Sequence, residues 1–221
     1  MAQLITPIDP ARVASNLEQV RAEIAGATPS GRDAANVEVL AAVKYVALEE
    51  LGALAEAGIT LLGENRAQEL ERKAQAWAGR ADFRWDFIGH LQSRKVRQLL
   101  PHTRLIQSVA SDSVLGELAK HGTPDTEVLV EVNVAGDDTK SGISPADLDA
   151  FVERCPARVV GLMTMPPLAQ RPEDSRPHFA ALAQLAADRD LRVLSMGTTQ
   201  DYAVAVQEGA TIVRLGSVLL R

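Results

Sequence analysis

Eight short apolar runs recur along the chain, and each of the first seven is followed by an amphipathic stretch. The runs are VEVLAAVK (37–44), ITLLGE (59–64), RWDFIG (84–89), RLIQSV (104–109), TEVLVEVN (126–133), RVVGLMTM (158–165), RVLSMG (192–197) and TIVRLG (211–216). Runs this short, rich in branched aliphatics, read as strands buried on both faces. The stretches near 47–57, 66–78, 92–100, 112–121, 145–154, 175–188 and 200–208 read as helices. Strands joined through helices run parallel, with right-handed crossovers. Eight such units predict an α/β chain closed into a TIM-type (β/α)8 barrel, with residues 1–221 forming one domain.

Local signals set several boundaries. Asp9–Pro10 is a cap followed by proline, and Val13, Leu17, Val20 and Ile24 then fall on one stripe, so an extra helix over 9–25 precedes the first strand. Ser144–Pro145 repeats the cap–proline signal, and Asn65 with Gln68 reads as a capping box. Gly58 and Gly209 stop the helices before them. No helix is expected after strand eight, so the N-terminal helix is expected to cover that gap or to cap the barrel. The Pro-rich piece MPPLAQRPEDSRP (165–177) is the longest irregular stretch.

Composition removes whole classes of function. A net charge of -6 and 4% aromatic residues argue against a nucleic-acid partner. The basic cluster SRKVRQ (93–98) reads as a solvated helix face. The single cysteine, Cys155, has no partner for an internal disulfide, and no Cys/His spacing suits a metal. No apolar run approaches a membrane span, and the first residues lack a signal-peptide pattern, so a cytoplasmic protein is expected.

In a barrel of this kind, chemistry gathers where the strands end. Those positions carry Lys44, Asn65, His90, Ser108, Asn133, Thr164, Thr199 and Arg214, which would converge on one mouth. The loops after strands seven and eight, SMGTTQD (195–201) and RLGSV (214–218), combine glycine with hydroxyl donors, the usual makings of a phosphate cradle. Lys44 ends an apolar run, where it either snorkels to water or offers its amine to a carbonyl compound. Lysine plus cradle suits two classes: a sugar-phosphate aldolase or a pyridoxal 5'-phosphate (PLP) protein. Arg214, two residues before Gly216, suits a pyridine nitrogen beside the cradle, its plain alternative being a surface ion pair. An aldolase would want an acid/base pair near its lysine, and no second buried lysine or carboxylate is evident in the sequence.

The stretches AAVKYV, LLGENRAQEL, FRWDFIGHLQSRKV, VLVEVNVAGDDTKSGI, VVGLMTM and LSMGTTQDYAVAVQEGATIVRLGS together resemble the YggS/PROSC family, the pyridoxal phosphate homeostasis proteins. The resemblance covers residues 37–218 and implies the barrel half of alanine racemase, a fold type III PLP protein, standing alone. It implies that Lys44 holds PLP as an internal aldimine and that Arg214 faces the pyridine nitrogen. It further implies that Thr199, Gly216 and Ser217 bind the phosphate, that Asn65 lies near the ring, and that Met163 and Ser195 line the pocket. Lys140 matches a recurring family lysine that could receive or relay the cofactor; its plain alternative is a loop salt bridge. The chain departs from the family pattern at Thr198, Arg66 and Tyr45–Val46, where methionine, tyrosine and Thr–Lys are usual. These changes bear on the pocket's shape and leave Lys44 in place.

A guanidinium has no acceptor site, so a ring nitrogen facing Arg214 stays unprotonated and PLP is a weaker electron sink. Alanine racemase works with such an arginine but draws a second acid/base group from a C-terminal β domain that is not in this sequence. The expected function is therefore PLP homeostasis, with the cofactor stored, buffered or delivered to PLP-dependent apoenzymes met transiently by a monomer, and with no catalytic residues. The alternative is a racemase-like enzyme with Lys44 as base and His90 as the second group. A PLP-free aldolase is a distant third.

Overall fold

The computed structural model describes residues 4–137 and 139–221. The strands are β1 (Glu38–Ala42), β2 (Leu61–Glu64), β3 (Arg84–Phe87), β4 (Leu105–Val109), β5 (Glu127–Glu131), β6 (Arg158–Met163), β7 (Val193–Thr198) and β8 (Ile212–Leu215). They pair in sequence order, all parallel, and β1 meets β8 from Glu38↔Ile212 to Ala41↔Leu215, which closes the barrel. The α/β barrel expected from the alternation is the observed fold. The helices are α1 (Pro10–Ala27), α2 (Leu51–Glu56), α3 (Ala67–Trp77), α4 (Val96–Leu99), α5 (Asp112–His121), α6 (Leu148–Arg154), α7 (Arg176–Ala187), α8 (Tyr202–Gln207) and α9 (Ser217–Leu220).

Alternation of side chains along each strand divides the core in two. Leu40, Leu61, Leu105, Leu129, Met163 and Ile212 form a cluster of their own inside the barrel. A larger cluster packs the outer face of the sheet against the helices, and it includes Val13, Leu17, Val20 and Ile24 from α1. The local signals act as expected at several ends. Asp9 accepts hydrogen bonds from the Ala11 and Arg12 amides, and Ser144 accepts one from Asp147. Gly58 and Gly209 follow α2 and α8 with φ of +78° and +108°, the left-handed conformation that lets the chain leave a helix directly for a strand.

Two expectations are corrected. Strand β1 stops at Ala42, so Lys44 stands in the turn beyond it and not on the strand. A four-residue helix, α9, follows β8, and α1 packs beside both α8 and α9. The Asn16 amide donates to Leu219 O and Arg221 O at 3.0 and 3.1 Å. Helix α1 thus covers the outside of the barrel near its closing seam, because its apolar stripe needs a wall of side chains that the barrel's open ends do not supply.

The segment leading into α1 is held by one carboxylate. Glu50 accepts a hydrogen bond from the Thr6 hydroxyl at 2.6 Å and another from the Ile8 amide at 2.9 Å. Those bonds, Thr6 first, hold its pKa below the ordinary value. A depressed folded value stabilises the clamp above the unfolded pKa, and this is lost as pH falls through the folded one. For so accessible a group the gain is at most about 1 kcal/mol. Hydrogen exchange should show the Ile8 amide losing protection below the ordinary carboxylate range, before the barrel amides do; constant protection there would refute the clamp.

Candidate functional site

The C-terminal ends of the strands form one rim of the barrel, and the β1 corner of that rim is built around a buried ion pair. Lys73, on the inner face of α3, and Glu64, the last residue of β2, are 1% and 0% exposed. The Lys73 ammonium donates to the Glu64 carboxylate and to the Val43 carbonyl, both at 2.7 Å. Lys73 therefore grips the backbone immediately before Lys44. The sequence suggested no second buried lysine or carboxylate, and the structure overturns that reading. Lysine on an amphipathic helix reads as surface, and only the fold brings its partner from nine residues away.

Lys44 itself is half-buried, and its ammonium lies 5.1 Å from the centre of the exposed Tyr45 ring. Unlike Lys73, it makes no hydrogen bond or ion pair among the described residues. Its amine is thus available to a ligand.

Asn65 does not cap α3. The chain is still extended at Arg66, which occupies the cap position without a side-chain bond. The Glu64 carboxylate instead accepts from the Asn65 and Arg66 amides at 2.8 and 3.4 Å. Asn65 is left exposed on the rim, its side chain unused by the helix.

Arg214, inside β8, is 6% exposed, which overturns the surface-ion-pair alternative. Its guanidinium donates to Ser195 Oγ at 2.6 Å, to the Thr164 carbonyl at 2.9 Å and to Met165 Sδ at 2.8 Å. No carboxylate touches it among the described residues. Burial pulls its pKa down to about 10, against the more distant charges of Glu131 and Asp201. It is a charged, rigidly held donor at neutral pH.

Ser195 is fully buried, and its hydroxyl also donates to Gln107 Oε1 at 2.6 Å. Gln107 in turn donates to Asp86 at 2.7 Å, and Arg104 grips both Asp86 oxygens at 2.9 and 2.8 Å. Burial pushes the Asp86 carboxyl up, while the Arg104 and Gln107 hydrogen bonds pull it back. Met163, at the end of β6, belongs to the inner barrel cluster.

The β7 and β8 loops are tied together where the sequence suggested a phosphate cradle. The Gly216 amide donates to Thr199 Oγ1 at 3.2 Å. Asp201 accepts from the Thr198 amide and hydroxyl at 2.7 and 3.1 Å and from Ser175 at 2.8 Å, which shapes the β7 loop. Ser217 is exposed at the start of α9.

The other strand-end residues divide by use. Ser108 donates to Gly89 O and Thr164 to Val132 O, so their hydroxyls hold backbone. Asn133 brackets the backbone of Asp137. His90 is exposed beyond β3. Lys140 is exposed on the loop after β5, and Asp138, two residues before it, lies outside the described residues. Sequence reasoning missed Glu64, Lys73, Asp86, Gln107 and Met165. The available signal was Glu64, Asp86 and Gln107 standing within strand runs rich in apolar residues. No cluster of metal-ligating side chains occurs among the described residues, and none of their helices is long and apolar enough to cross a membrane.

Comparison with known proteins places this geometry among relatives. Residues 8–220 match the family model described as alanine racemase, N-terminal domain. The chain is 38% identical over 203 residues to a pyridoxal phosphate homeostasis protein of Aquifex aeolicus, covering 86% of this chain and 89% of the relative. It is 36% identical over 218 residues to the protein of that name from Pseudomonas aeruginosa, covering 94% of each. Among solved structures, PipY of Synechococcus elongatus with PLP bound is similar at a TM-score of 0.80 and 27% identity, over 95% of this chain and all of that one. Alanine racemase of Corynebacterium glutamicum shares the fold at a TM-score of 0.69 and 18% identity, the match covering 99% of this chain and 63% of the racemase.

Proposed function

The chain belongs to the alanine racemase N-terminal domain family, alongside the pyridoxal phosphate homeostasis proteins, and from that premise we propose that it binds PLP covalently on Lys44 and stores, buffers or delivers it. Arg214 is the observation that carries this reading. A buried guanidinium that no carboxylate touches among the described residues, held by three neutral acceptors, is a donor set for an uncharged aromatic nitrogen. The donors fit PLP at its other ends too. An amine with no hydrogen-bond or ion-pair partner among the described residues stands at Lys44, and the tied β7 and β8 loops bring the Thr199 and Ser217 hydroxyls beside Gly216, where the lack of a side chain lets a ligand approach closely.

Each side chain then has a task. Lys44 would hold the cofactor through its unpaired amine, the group suited to a carbonyl carbon. Lys73 keeps the Lys44 turn in place through Val43. Arg214 would donate to the ring nitrogen and favour its unprotonated form, Asn65 and Met163 would border the ring, and Thr199, Gly216 and Ser217 would hold the phosphate. Bound PLP supplies an electron sink, weakened here because Arg214 cannot accept the ring proton. We read the protein as a cytoplasmic monomer that hands its cofactor to apoenzymes in transient encounters.

Borohydride reduction of PLP-loaded protein, followed by peptide mass mapping, is expected to fix the label on Lys44. Label on another lysine would sink the site. Rapid turnover of a free amino acid, abolished by Lys44→Ala, would favour the racemase-like reading instead.

A further inference from the structure

We propose that Ser195, Gln107 and Asp86 form a one-way hydrogen-bond chain through the barrel interior that positions Arg214 and keeps its remaining N–H groups aimed at its ligand. The chain crosses four strands. Arg214 on β8 donates to Ser195 on β7 at 2.6 Å, Ser195 to Gln107 on β4 at 2.6 Å, and Gln107 to Asp86 on β3 at 2.7 Å. Arg104 anchors the far end, with Asp86 on one side and Glu38 on the other at 2.8 Å and beyond. Ser195, Gln107 and Asp86 are all fully buried.

The direction of the chain is forced from both ends. A guanidinium can only donate, so Ser195 accepts from Arg214 and must send its own proton onward. The Asp86 carboxylate, with Arg104 N–H groups on both oxygens, accepts from Gln107, so the amide turns its NH2 towards Asp86 and its oxygen towards Ser195. Flipping the amide would set its oxygen against the carboxylate. Every link therefore presents its negative end towards Arg214. Aligned dipoles in a low-dielectric interior reinforce one another, which stabilises a buried cation without placing an anion beside it. A direct carboxylate partner would hold Arg214 as tightly but would bring a negative charge to the ring nitrogen. Ser195 is accordingly a positioning residue, its hydroxyl committed to Gln107 and Arg214.

The inference rests on the PLP reading only for what Arg214 faces, and the test separates the two. Protein is loaded with PLP carrying 15N at the pyridine nitrogen, and borohydride mapping is run alongside. In the wild type the ring nitrogen should resonate as an unprotonated, hydrogen-bonded pyridine. In Gln107→Leu the resonance should move downfield towards free pyridine while PLP still labels Lys44. Ser195→Ala should do the same, and Ser195→Thr, which keeps the hydroxyl, should stay with the wild type. Should Gln107→Leu fail to fold, the Ser195 pair decides on the same readout. A merely structural chain would lower thermal stability and leave the resonance where it is, and that result overturns the proposal. A wild type that takes no label on Lys44 fails the PLP reading instead. The chain is then read in the cofactor-free protein: exchange of the Arg214 guanidinium protons should be slower in the wild type than in Ser195→Ala, and equal rates would overturn it.

Discussion

Replacing Lys73 with methionine should destabilise the protein by about 3–5 kcal/mol, the cost of removing one partner of a buried ion pair. Methionine fills a similar volume, so little of the loss comes from packing. The loss comes from Glu64, which is 0% exposed and would keep only the Asn65 and Arg66 amides as donors. The Val43 carbonyl would also lose the ammonium that holds it at 2.7 Å. Urea unfolding measures the change. Glu64→Gln added to Lys73→Met should recover much of it, because the neutral amide oxygen still accepts from the backbone without an unpaired charge. A loss below about 1 kcal/mol for Lys73→Met would mean that Glu64 finds another partner, against the rule for buried charges. Because Val43 adjoins Lys44, the single variant should also take up PLP label more slowly.

The second large effect needs only one methyl group. Gly161→Ala should cost at least about 3 kcal/mol, at the upper end for overpacking, or leave the protein insoluble. A Cβ at Gly161 would stand 1.9 Å from the Val193 carbonyl oxygen and 2.7 Å from Val193 Cβ. Gly161 and Val193 are register partners in β6 and β7, so the clash falls on backbone that cannot step aside without opening the barrel. Gly116→Ala is the control. Gly116 is exposed within α5 with nothing within 4 Å of its Cβ position, so alanine there should stabilise by roughly 0.5–1 kcal/mol through helix propensity. Thermal melts of both variants give the comparison, and a soluble Gly161→Ala protein of wild-type stability would show that β6 and β7 do not pair in this register.

Features that depend on neighbours in the chain were legible from residues alone. The strand and helix alternation, the Asp9 and Ser144 caps and the glycine exits at Gly58 and Gly209 all act within a few residues. Asn65 shows where such signals fail. Its spacing to Gln68 suits a capping box, yet Glu64, held from the side by Lys73, takes the nearby amides first and the chain stays extended through Arg66. A long-range ion pair outranked a local cap.

The same division runs through the candidate site. By itself the sequence determined that eight parallel strands close into a barrel, because apolar periodicity and parallel crossovers leave few other arrangements. Lys44 stands just past the first strand and Arg214 in the eighth, which pairs with it. The tertiary structure alone decided who touches whom inside. It chose Lys73 to hold the turn before Lys44, and it threaded Ser195, Gln107 and Asp86 between Arg214 and Arg104. The physical reason is that a buried polar group must find a partner, and in a closed barrel that partner comes from another strand or helix, 9 to 88 residues away in the chain.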